Sequence, residues 1–133
     1  MYGIGKVRAD AEIDKKCFLA WQSEGTLDRA KEKLLRDNVT SSHGTNFSRD
    51  GVRKAAVRYQ VNNYAESKKY IIEEYKKHGY IVSEFHVDKY MIKMAVSAYR
   101  NPYRIKCWME DNHLMDNPEL VLYLSSLIAI PND

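Results

Sequence analysis

The sequence predicts an all-α protein, on three observations. Apolar residues recur at helical spacing through most of the 133 residues. Ser, Thr, Asp or Asn stands ahead of the periodic stretches, twice followed by Pro, and Gly25 and Gly79 follow two of them as helix-closing residues. The expected architecture is two tandem helix-turn-helix-like units with a supporting N-terminal helix and an apolar C-terminal helix. At this length we expect a single compact unit over 1–133, made of a first helix-turn-helix unit at 11–63, a second at 64–100 and a C-terminal helical segment at 101–133.

Taken in order, residues 1–10 read as a loose arm with two glycines and alternating charge. From Ala11 to Glu24 the apolar positions Ile13, Cys17, Phe18 and Trp21 keep a helical period. Thr26 is a good N-cap for a helix whose face is Leu27, Ala30 and Leu34. A polar connection of about ten residues, VTSSHGTNFS, leads to Ser48, the next N-cap. Behind it Val52, Ala55, Ala56 and Tyr59 form a narrow face for packing. Tyr64–His78 is a further amphipathic stretch, and after the link YIVSEFHV Asp88 is the expected cap of a helix carrying Met91, Ile92, Ala95 and Tyr99.

The two halves align. Thr26, Ala30 and Leu34 fall on Ser67, Ile71 and Tyr75, and Ser48, Val52, Ala55 and Tyr59 on Asp88, Ile92, Ala95 and Tyr99, at offsets of 41 and 40. Such an alignment arises from duplication or from chance between two amphipathic helices of similar length. Residues 102–112 read as a short helix with Pro at its first position and Ile105, Trp108 and Met109 on one side. Asn117–Ile130 opens Asn-Pro-Glu and then turns apolar on nearly every side, which suits either the centre of the fold or an interface between copies.

Charge is distributed unevenly. The net +3 conceals +4 over residues 26–63 and −3 over 101–133, a basic centre suited to a polyanion and an acidic, apolar end suited to protein contacts. Cys17 and Cys107 stand alone, without zinc or disulfide spacing, and are expected to be reduced. No apolar run reaches the length of a membrane span, and the first ten residues lack the apolar core of a signal peptide. The expected location is the cytoplasm, or the host cytoplasm for a phage-encoded protein.

Catalytic patterns are sparse. No GxSxG elbow, HExxH pair or phosphate-binding glycine loop occurs, and the four His are scattered at 43, 78, 86 and 113. We therefore expect neither an enzyme nor a cofactor. What stands out is the arc of Arg49, Arg53, Lys54 and Arg58, two pairs one turn apart beginning at a helix N-terminus. On a recognition helix, Arg49 and Arg53 are placed for guanine edges and Lys54 and Arg58 for phosphates. The loop residues Ser41, Ser42, His43, Thr45 and Asn46 would then touch the backbone or an adjacent groove, and Ser48 is counted with the DNA-binding residues. Lys89 and Lys93 hold related positions in the second unit, with Arg100, Arg104 and Lys106 following.

The run DNVTSSHGTNFSRDGVRKAAV, residues 37–57, resembles the DNA-binding segment of large serine recombinases and related mobile-element proteins, through Gly44, Phe47, Ser48 and Val52. The resemblance implies contact with double-stranded DNA, not strand exchange, since nothing like their catalytic domain is present. The expected function is thus a DNA-binding transcriptional regulator or phage DNA-recognition factor reading the major groove with helix 48–62. About five phosphate contacts imply a slope of log K on log salt near −4 to −5. Two alternatives remain open. One is a phage structural or adaptor protein, such as a small terminase subunit, forming a homo-oligomer through 117–130; the other is a small RNA-binding protein, suggested by ten Tyr.

Overall fold

The computed structural model describes residues 4–132, and among them every regular element is helical. Seven α-helices follow one another: α1 Ile4–Glu24, α2 Leu27–Arg36, α3 Arg49–Asn62, α4 Tyr64–Lys77, α5 Glu84–Tyr99, α6 Pro102–Asp111 and α7 Pro118–Leu127, with a 3-10 turn Leu114–Asp116 before the last. Where length suggested one compact unit, contacts gather into two, Met1–Tyr59 and Gln60–Asp133. The division falls near the end of α3.

In the first unit, α1 begins earlier than its periodicity predicts. Residues 4–10, read as part of a loose arm, are helical, while residues 1–3 lie outside the described residues. Gly25 closes α1 at φ +83°, a conformation open to glycine at little cost, and its amide donates to the Trp21 carbonyl at 2.9 Å. One residue later Thr26 caps α2, its hydroxyl accepting from the Arg29 amide at 3.2 Å. Two helices thus meet over a two-residue joint, and α1 lies against α2. Cys17, Phe18, Ala20, Ala30, Leu34, Val52, Ala55, Ala56 and Tyr59 are buried, with the Phe18 and Tyr59 ring centroids 5.1 Å apart.

The second unit is built around α5, which touches α4, α6 and α7. Met91, Ile92 and Ala95 are wholly buried along it, joined by Ile105 and Met109 from α6 and Leu120 and Leu124 from α7. Each fully buried aliphatic side chain of this kind contributes about 1.5–3 kcal/mol, more than any exposed ion pair here can. The Pro-started helices follow the sequence expectation closely. Asn101 accepts from the Tyr103 amide and Asn117 from the Glu119 amide, both at 2.9 Å, with Pro102 and Pro118 at first positions.

Three expectations are corrected. The cap of α5 is Ser83, which accepts from the His86 amide at 3.2 Å, and not Asp88. Starting there brings Val87 into the core one turn before Met91, whereas a start at Asp88 would leave Val87 outside the helix. The proposed match of caps therefore fails in the second half: Ser67 and Asp88 are both buried inside helices. Helix α7 stops at Leu127 and buries one side only. Leu120 and Leu124 are in the core while Leu122 is 70% exposed.

Candidate nucleic-acid interface

Helix α3 owes its start to Ser48, whose hydroxyl accepts from the Gly51 amide at 3.0 Å. Gly51 leaves room for that cap, since a Cβ there would lie 3.2 Å from the hydroxyl. With Val52, Ala55, Ala56 and Tyr59 turned to the core, the opposite arc carries Arg49, Arg53, Lys54 and Arg58, between 39% and 64% exposed. The sequence placed these residues together, and the structure leaves them within reach of solvent.

Every one of the four has a carboxylate of its own chain. Arg49 Nε meets Asp28 at 2.9 Å, Arg53 and Lys54 share Asp50 at 2.9 and 3.1 Å, and Arg58 meets Asp14. Three carboxylates thus offset four cations, so the arc is a weaker positive surface than the sequence implies. The pairs are of two kinds. Those of Arg49, Arg53 and Lys54 lie in water, where an ion pair contributes about 0–1 kcal/mol and exchanges readily. Arg58 instead holds Asp14, whose side chain is only 10% exposed, with two nitrogens. That geometry makes Arg58 a tie between α1 and α3 rather than a ready phosphate ligand.

The preceding connection, Asp37–Ser48, is a closed loop gathered on Ser41. The Ser41 amide donates to the Thr45 carbonyl at 2.8 Å, the Gly44 amide to the Ser41 carbonyl at 2.9 Å, and the amides of His43 and Thr45 to the Ser41 hydroxyl, both at 3.3 Å. Gly44 makes the turn possible at φ +78°. Ser42, His43, Thr45 and Asn46 are exposed around it, with the Thr45 hydroxyl 2.8 Å from that of Ser41. At twelve residues the connection is longer than the three- or four-residue turn of compact helix-turn-helix motifs.

In the second unit the two expected cations differ. Lys93 is exposed. Lys89 Nζ lies 5.4 Å from the Phe85 ring centroid and 5.0 Å from that of Tyr123, which gives it a packing role between α5 and α7.

A polar cluster that the sequence reading missed occupies the inner side of α4. Asp88 accepts from the Tyr64 hydroxyl and pairs with Lys68 at 3.0 Å, and Lys68 also reaches Glu84 at 3.2 Å. Burial and the bond to Asp88 push the Tyr64 phenol up to about 12. Burial opposes the Lys68 charge, but hydrogen bonds to Asp88, Tyr64 and Glu84 outweigh it and raise its proton affinity. The i, i+4 spacing of Tyr64 and Lys68 and of Glu84 and Asp88 was the available signal, hidden because Asp88 also suits a cap. Lys68 offers its three N–H donors to three partners, so the cluster binds helices to one another rather than a ligand.

Among the described residues no group of His, Cys, Asp and Glu is arranged to hold a metal ion, and no helix is long and apolar enough to cross a membrane. No protein-family model, curated protein or solved structure matches the chain.

Proposed function

We propose that the protein binds double-stranded DNA as a transcriptional regulator or phage or mobile-element recognition factor, with α3 entering the major groove and α2–α3 and α4–α5 acting as two helix-turn-helix-like units. The observation that carries this reading is the exposed basic arc of α3 opposite its buried face, beginning at a capped helix N-terminus beside an exposed polar loop. The resemblance of residues 37–57 to recombinase DNA-binding segments supports the same role. Arg49, Arg53 and Lys54 would exchange their surface carboxylates for phosphates or base edges. With Arg58 committed to Asp14, about three cations remain on this helix, and the slope of log K on log salt falls to roughly −3. Gel shifts of a random-sequence duplex pool at two salt concentrations test this; binding that is absent or indifferent to salt overturns it.

A second reading has its own observation. Leu122, 70% exposed, stands on the outer side of α7 opposite the buried Leu120 and Leu124, an exposed apolar side chain suited to a structural or adaptor protein that assembles through 117–130. Light scattering on the purified chain without DNA tests for a defined oligomer.

A further inference from the structure

We propose that a groove beside α6 binds an unstacked nucleobase together with its phosphate. It has a volume of about 300 Å³ and is lined by Tyr99 at the end of α5 and by Tyr103, Arg104, Cys107, Trp108 and Asp111. Every one of these residues belongs to the second unit, so the proposal stands independently of the α3 reading.

The chemistry of the lining selects the ligand. Three of the six residues are aromatic, and Tyr103 leaves 65% of its surface in water. Trp108 is held fixed, its Nε1–H donating to the Val61 carbonyl at 2.8 Å and the Tyr64 ring meeting it edge-on at 5.8 Å. Trp108 is itself only 6% exposed and forms the floor, so the ring face open to a base is that of Tyr103, and every base has a matching π-face. Arg104 lies with Cζ 4.9 Å from the Tyr99 ring centroid and, unlike the four cations of α3, has no carboxylate partner among the described residues. A guanidinium without a counter-ion next to aromatic rings suits a planar ligand that carries a phosphate. Asp111 lies two turns further along α6, about 10 Å of helix rise away, and supplies an acceptor for the amino or ring N–H groups of a base edge. In a duplex the base faces are covered by their neighbours, so the occupant is a free nucleotide or a single strand.

The two cysteines make the test specific. Cys107 is exposed in the groove, while Cys17 is buried and its thiol is pushed up to about 12 by burial and by Asp14, so it is unreactive at neutral pH. Alkylation of Cys107 is followed by mass spectrometry in the full chain, with a nucleoside, a nucleoside monophosphate, a single-stranded RNA, a single-stranded DNA or a duplex added in turn. The expected result is slower alkylation with the single strands, the monophosphate arm showing whether a free nucleotide suffices. In Tyr103→Ala, a change at an exposed ring that leaves the core intact, affinity read from this protection falls roughly 5- to 100-fold. Arg104→Ala weakens the phosphate-bearing ligands more than the bare nucleoside. Unchanged alkylation with every single-stranded ligand, protection by duplex alone, or protection undiminished in Tyr103→Ala overturns the proposal.

Discussion

Arg58 clasps Asp14 with two nitrogens, Nε to Oδ2 at 3.1 Å and Nη2 to Oδ1 at 2.9 Å, across 44 residues of sequence. Because Asp14 is almost fully covered, removing the guanidinium leaves a carboxylate without its main counter-charge. Arg58→Ala is expected to destabilise the fold by roughly 1–3 kcal/mol, read from the midpoint of urea unfolding. An unchanged midpoint would show that the clasp does not hold α1 to α3.

Asp50 stands in front of two cations of the same helix. Hydrogen bonds from Arg53 and then Lys54 hold its carboxyl below the usual carboxylate range, so it stays charged wherever DNA binding would be measured. Asp50→Asn releases both cations and is expected to tighten duplex binding and steepen its salt dependence. Arg53→Ala should weaken specific binding by roughly 1–3 kcal/mol. If Asp50→Asn binds more weakly than the parent in a gel shift, the ion-exchange picture of the arc is wrong.

The Tyr64–Asp88–Lys68 cluster carries a pH signature. Both Tyr64 and Lys68 have raised proton affinity in the fold, so their contribution is fully present below the unfolded tyrosine pKa of about 10 and is lost as pH rises toward 12. Thermal unfolding followed from pH 8 to 11.5 should show a fall in stability above pH 10 that Tyr64→Phe makes shallower. The same decline in the variant would argue that Tyr64 is not the group responsible.

Two candidate caps of α5 are separated by their cost. Ser83→Ala removes a helix cap and should cost about 1 kcal/mol, the same as Ser48→Ala at α3. Asp88→Ala strips Tyr64 and Lys68 of their shared acceptor and should cost roughly 2–3 kcal/mol. Equal losses at Ser83 and Asp88 in chemical denaturation would contradict this division of roles.

Leu122→Glu tests assembly without touching the core, because the side chain is in water and Leu120 and Leu124 keep α7 attached. If copies associate through α7, light scattering should show the variant shifted to monomer with its unfolding midpoint preserved. An oligomer that survives the charge places the interface elsewhere.

Local chemistry made much of the helical framework readable from sequence. Ser48, Asn101-Pro102 and Asn117-Pro118 satisfy backbone amides within three residues of themselves, and the periodic face of Val52, Ala55, Ala56 and Tyr59 is a property of one helix. What Arg49 and Arg58 of α3 face was not readable, although Asp50 stands at local spacing from Arg53 and Lys54. Asp14 and Asp28 approach Arg58 and Arg49 from 44 and 21 positions away, and only the folding back of α1 and α2 brings them there. Asp88 shows the same limit: an Asp after an irregular link reads as a cap, until burial of Val87 draws the helix start back to Ser83 and turns the carboxylate inward onto Tyr64 and Lys68. By itself the chain determined that it is helical and where most of its helices are capped, because caps and periodicity act over one or two turns, while the starts of α1 and α5 and the end of α7 differ from the sequence expectation. Tertiary structure alone decided that Arg49 and Arg58 are neutralised and that Asp88 turns inward, since those contacts join side chains remote in sequence, whereas Asp50 meets Arg53 and Lys54 within one turn of its own helix.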